Sequence, residues 1–189
     1  MKYREKLLKS LISLDTPIVV PEGTQATCAV LLPIGSNSKT QQLDLIMTKR
    51  TDRVMTHKKQ ISFPGGYREE EDASLMQTAL RESLEEIGLS ANDVEVLGRL
   101  PEVTTHTTGI LIYPFVGLFA LPYEFKTSED EVEKILYVPL DRIVEEGLPE
   151  LTVEIEGYRI KSLGITHEDD LIWGASARML EDLRKALLK

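Results

Sequence analysis

Apolar positions recur along this chain with two periods, and each period predicts a different element. Residues 26–34 and 43–49 are almost continuously apolar or alternate with polar neighbours, as strands do, and the polar stretch 35–40 between them predicts an antiparallel pair. Further strands are expected at 94–100, 110–121 and 135–139. Residues 152–160 alternate around Glu156-Gly157 as an edge hairpin would. Helical spacing appears three times. Tyr3, Leu7, Leu8, Leu11 and Ile12 predict a docking helix over about residues 2–14, ended near Asp15-Thr16-Pro17. Met76, Leu80, Leu84 and Ile87 predict a central helix, and Ile172, Ser176, Met179, Leu180, Leu183 and Leu187 a closing one. No repeat, low-complexity tract or linker interrupts the 189 residues, so one domain over 1–189 is expected, an α/β sandwich with a mixed sheet.

The central helix carries the candidate chemistry. At about 100° per residue, its apolar stripe leaves Glu82, Glu85 and Glu86 clustered on the other side, and their i, i+3 and i+4 spacing brings the carboxylates within reach of one another. Hard oxygen ligands suit Mg²⁺ or Mn²⁺ rather than a thiolate-seeking metal. A solvated acidic face has the same pattern, and its like-charge pairs would cost only a few tenths of a kcal/mol each. Upstream, Phe63-Pro64-Gly65-Gly66 turns tightly, and glycines without Cβ let backbone N–H groups approach a phosphate. Gly88 ends the helix where a C-terminal glycine is expected.

From Gly66 onward the chain resembles the Nudix hydrolase family, whose box reads Gly-x5-Glu-x7-Arg-Glu-U-x-Glu-Glu-x-Gly-U, with U apolar. Gly66, Arg81, Glu82, Glu85, Glu86, Gly88 and Leu89 match, so the box covers about residues 66–89. Asp72 stands where the box has Glu, the gap from it to Arg81 is one residue longer, and Ser83 takes an apolar place. The resemblance implies an α/β/α sandwich and hydrolysis of a diphosphate bond in a nucleoside diphosphate derivative. It makes Glu85 and Glu86 the main metal ligands, with Glu82 a third ligand or the base. It also makes Arg81 a guanidinium fork that orients Glu82, and Glu131 a further ligand or base on a loop; a solvated charge run is the plain alternative for Glu131.

A narrower resemblance, to the coenzyme A pyrophosphatase branch, covers most of the chain. It rests on Leu45 to Thr51, His57, Gln60 and Ser62 to Gly66, then on Leu100-Pro101, Tyr113 to Gly117, Val138-Pro139-Leu140 and Ile172 to Arg178. It implies coenzyme A or an acyl derivative as substrate, with Arg50, His57, Gly65 and Gly66 as contacts. Met55 and Lys59 depart from it, standing where the branch tends to have Arg and Gly. They keep ADP-ribose, nucleotide sugars and nucleoside di- or triphosphates as alternatives. A nucleotide-sensing domain without catalysis is the rival of another class, disfavoured because every acidic position of the box helix is kept.

Composition narrows the partners. A net charge of −9 argues against a nucleic-acid surface, which needs clustered Lys and Arg, and an acidic protein taking a phosphate substrate needs a divalent cation to offset both charges. The apolar run 110–121 is shorter than the ~20 residues of a membrane span and contains Pro114 and Gly117. The N-terminus lacks the apolar centre and cleavage site of a secretory signal. The single cysteine, Cys28, is expected in the core of a cytoplasmic protein. His106, His167 and Trp173 are expected in structural roles, and the oligomeric state, a homodimer included, is left open.

Overall fold

The computed structural model describes residues 3–22, 24, 27–53, 59–105, 108–155 and 157–189. In chain order its elements are α1 (Arg4–Ser10), β1 (Thr27–Asn37), β2 (Leu43–Arg50), β3 (Ile61–Ser62), β4 (Gly65–Tyr67), α2 (Leu75–Ile87), β5 (Glu95–Arg99), β6 (Val103–Thr104), β7 (Leu111–Leu121), β8 (Val132–Pro139), α3 (Leu140–Glu146), β9 (Glu150–Ile155), β10 (Tyr158–His167), β11 (Asp170–Trp173) and α4 (Gly174–Leu188).

β1 is the axis of an eight-stranded mixed sheet. It runs parallel to β7 from Thr27↔Leu111 to Asn37↔Leu121, and antiparallel to β2 at one end and β4 at the other. β2 carries β3 and β8, while β7 carries β5 and β6. The near-continuous apolar runs of β1 and β7 follow from this place, because a central strand is covered on both faces. With side chains alternating, Ala29 and Leu31 pack with Leu75, Ala79 and Ile87 of α2. Val30, Leu32 and Ile34 pack on the opposite layer, with Leu7 of α1, Ile143 of α3 and Met179, Leu180 and Leu183 of α4. The result is an α/β/α sandwich.

Several boundaries and one face differ from the sequence pattern. α1 ends at Ser10, because Ile12 exchanges backbone hydrogen bonds with Arg99 instead of extending the helix. Residues 150–167 do form a hairpin, but it joins β11 in a separate three-stranded sheet rather than extending the main one. Ile172 therefore lies in a strand, and α4 begins at Gly174. In α2 the buried residues are Leu75, Thr78, Ala79, Ser83, Glu86 and Ile87, whereas Leu84 is 53% exposed. The helix is turned by about one residue, roughly 100°, from the face its large apolar residues predict. Small residues explain the turn. Ala79 and Ser83 let α2 approach the sheet closely, and the Ser83 hydroxyl satisfies itself by donating to Ala79 O at 2.7 Å.

Candidate active site

The turn brings the acidic residues of α2 under the glycine bend. β4 pairs with β1 through Ala29↔Gly66 and Val30↔Gly65, which fixes the bend on the sheet beside the helix. Gly65 has φ +155°, and a Cβ there would stand 2.4 Å from Ala29 O and 2.6 Å from Val30 Cα. Only glycine fits. At Gly66 the neighbour is the site itself, since a Cβ would stand 2.5 Å from Glu82 Oε1.

The three glutamates occupy three different environments. Glu86 is only 2% exposed; Arg50 Nη1 lies 3.6 Å from Oε1, and Oε2 is buried with no hydrogen-bond partner. Burial pushes its carboxyl up to about 8, against the pull of Arg50 and with Glu131 and Glu82 adding to the rise. The Glu82 side chain is 15% exposed and its carboxyl is also raised, first by burial, with Arg81 opposing and Glu85 and Glu131 reinforcing. Glu85 is 56% exposed and its Oε2 accepts from Arg81 Nη1 at 3.1 Å.

Arg81 is the hub. Its Nε and Nη2 donate to the two oxygens of Asp72 at 3.1 and 3.0 Å, the bidentate geometry of a strong guanidinium–carboxylate pair. Nη1 donates to Glu82 at 2.9 Å, and Nη2 also reaches Tyr67 O at 3.0 Å. Asp72, 2% exposed, further accepts from Glu69 N–H at 3.0 Å and Thr78 Oγ1 at 2.9 Å. Hydrogen bonds from Arg81 hold its carboxyl well below the usual range, and the same pairing raises the guanidinium. The sequence pattern did not assign Asp72 this anchoring role. Its signal was the extra residue before Arg81: Ser74 caps α2 by accepting from Gln77 N–H, so Asp72 sits just ahead of the first turn, beside Thr78.

The other candidates fall on both sides of this cluster. Glu131 belongs to the β7–β8 connection and is near enough to Glu82 and Glu86 to disfavour charge on both. Its carbonyl accepts from Thr51 N–H at 2.9 Å, next to Arg50. A cavity of about 370 Å³ opens beside it, lined in part by Thr51, Arg53, Lys59, Glu129 and Glu133. His57 and Met55 lie outside the described residues, as does His106. Trp173 is half-buried at the end of β11, and His167 Nδ1 lies 3.3 Å from Arg142 Nη1. Cys28 is buried, and desolvation, with Glu82 nearby, pushes its thiol up to about 12, so it is no nucleophile.

The donor set fits a hard divalent cation in part. Glu82, Glu86 and Glu131 offer only oxygen, and the buried Glu86 Oε2 without a partner is the atom a cation would satisfy. Among the described residues, however, no three acidic, His or Cys side chains already converge as a cage. Glu85 would have to leave Arg81 to join them.

The comparisons agree with this architecture. A model of the NUDIX domain matches residues 26–158. An uncharacterized Nudix hydrolase NudL of Pectobacterium atrosepticum is 32% identical over 169 residues, covering 88% of this chain and 85% of that protein. One from Salmonella paratyphi B is 34% identical over 160 residues, covering 84% and 81%. Among solved structures, a MutT/nudix family protein from Enterococcus faecalis covers 100% of this chain and 75% of its own, at 12% identity and a TM-score of 0.60. The NUDIX domain of Shewanella oneidensis NrtR, solved with ADP ribose, covers 64% and 77%, at 20% identity and a TM-score of 0.51. At these identities the two structures speak for the fold. Fold and comparisons together define a hydrolase of phosphoric anhydrides on an α/β/α sandwich. The chain belongs to the Nudix hydrolase family, pyrophosphatases that act on small nucleoside diphosphate derivatives and need a divalent metal such as Mg²⁺ or Mn²⁺.

Proposed function

We propose that the diphosphate bond cleaved is that of coenzyme A or an acyl derivative, giving 3′,5′-ADP and a phosphopantetheine fragment. One observation carries the reading. Lys59, which replaces a residue that is usually Gly in the branch signature, has φ +60°, the left-handed conformation that glycine adopts without cost, while its ammonium is drawn to Glu133 at 2.7 Å. A glycine would take the same backbone at this position, which supports the branch reading despite the substitution. No described helix is long and apolar enough to cross a membrane, and the single buried thiol suits a reducing cytoplasm.

Glu86 and Glu82 would hold the cation, Mg²⁺ or Mn²⁺, with Glu85 as a further ligand in place of its bond to Arg81. When bound, the ion supplies charge neutralisation and polarisation at the phosphoryl oxygens. The chain's own residues do the rest. Glu131 or Glu82 takes the proton of the attacking water, and burial raises the Glu82 carboxyl toward that role. Arg81, anchored by Asp72, keeps Glu82 oriented. Arg50 and His57 contact the nucleotide, while Gly65 and Gly66 bring backbone close to a phosphate.

Lys59 also favours a second reading, because its side chain adds charge and bulk beside the cavity. A nucleotide sugar, ADP-ribose or a nucleoside di- or triphosphate would then be preferred. Incubation with each compound and Mg²⁺ or Mn²⁺, with products identified by mass, decides between them. Release of 3′,5′-ADP from coenzyme A at the highest kcat/KM is the expected result; a clear preference for another compound overturns it.

A further inference from the structure

The last carbonyls of a helix have no partner within it. In α2 two of them are taken by the β7–β8 connection, residues 122–131: Lys126 N–H donates to Ile87 O at 3.0 Å and Ser128 N–H to Glu86 O at 2.9 Å. Gly88 serves the same junction. Its φ of +71° ends the helix, and a Cβ there would stand 3.0 Å from both Cβ and N of Lys126.

Aromatic rings hold the connection down. Phe125 packs edge-on against Phe119 at 5.9 Å and Tyr137 at 6.2 Å, and tilts onto Tyr123 at 5.1 Å. Tyr123 Oη accepts from Ser90 N–H at 3.1 Å and lies within donating distance of Asp93 Oδ2 at 3.0 Å and Gly88 O at 3.2 Å. At the other end, Thr51 donates its N–H to Glu131 O and its hydroxyl to Asp130 O, at 2.9 and 2.6 Å. Arg50, next to Thr51, reaches Glu86. One connection therefore grips the helix that bears Glu82 and Glu86, then delivers Glu131 to the same place.

We infer that Tyr123 and Phe125 are positioning residues: their rings seat residues 122–131 on the C-terminal end of α2 and so set Glu131 against Glu82 and Glu86. The inference rests on the role given to Glu131 above. A displacement of about 1 Å at a reacting group can cost on the order of 100-fold in rate, so a ring remote from the chemistry carries a measurable share of it.

Two readouts test this. Phe125→Ala should lower kcat on the order of 10- to 100-fold with KM changed by less than about 3-fold, and Phe125→Leu should recover most of the loss. In a Glu131→Gln background Phe125→Ala should cost little more, because residues acting as a unit are not additive. Amide hydrogen exchange gives the second readout without turnover. The Lys126 and Ser128 amides should exchange at least about 10-fold faster in Phe125→Ala. Unchanged protection, or losses that multiply independently in the double variant, overturn the inference. Wild-type protein that cleaves no diphosphate compound refutes the functional reading instead, and the exchange result still decides the seating.

Discussion

Replacing Asp72 by Asn tests whether one buried carboxylate organises the site. The substitution keeps volume but removes the charge that receives two Arg81 N–H groups, the Thr78 hydroxyl and the Glu69 N–H. The amide also turns donors toward donors. Breaking a buried ion pair costs about 3–5 kcal/mol. Here Arg81 keeps Glu82, Glu85 and Tyr67 O as partners and remains partly exposed, so about 2–3 kcal/mol is expected once solvent screening is counted. For a chain of this length that lowers Tm by about 4–12 °C. The pH dependence has a definite sign. Asp72 is held below its unfolded value of about 3.9, so its contribution is present above that pH and fades as pH falls toward the lower folded value. The difference between wild type and Asp72→Asn, measured by denaturant titration, should be constant from about pH 5 to 8 and shrink below about 4. A variant within about 0.5 kcal/mol of wild type at pH 7, the range of ordinary surface changes, would refute the reasoning; so would a difference that survives unchanged in acid.

The two glycines of the bend should separate stability from activity. Gly65→Ala meets the β1 backbone at Ala29 and Val30 at a positive φ, and should cost about 3 kcal/mol or more, read as loss of soluble folded protein. In Gly66→Ala the three atoms nearest the new Cβ all belong to the movable Glu82 carboxylate, so thermal melting should change little while kcat falls on the order of 10-fold or more. Glu86→Gln should melt higher than wild type in a chelator at pH 9 and lose turnover. Its folded carboxyl, pushed up to about 8, makes ionisation unfavourable to folding, so wild-type stability present below about pH 4.3 declines as pH rises through 8. Added Mg²⁺ should reverse that decline in wild type alone, as shown by melting curves across pH; a flat wild-type profile would count against the buried charge.

Much of this was legible in one dimension. Strands β1, β2 and β7 announce themselves because a strand covered on both faces must be apolar nearly throughout, and the box motif specifies a helix between Gly66 and Gly88. The short β3, β4 and β6 have too few residues to show a period, and Tyr158 to His167 is too polar to reveal which sheet it joins.

Residue types and their spacing alone settle that three carboxylates, an arginine and a glycine pair share one helix and one turn. They do not settle which carboxylate is buried, because hydrophobicity assigns Leu84 to the core and Glu86 to water, while close packing through Ala79 and Ser83 reverses the two. Nor do they join Asp72 to Arg81, or bring Glu131 beside Glu86, since those distances depend on how the helix end and a loop remote in sequence meet across the sheet. Local pattern is set by each segment's own periodicity; the field at the site is a sum over segments, and exists only once they are packed.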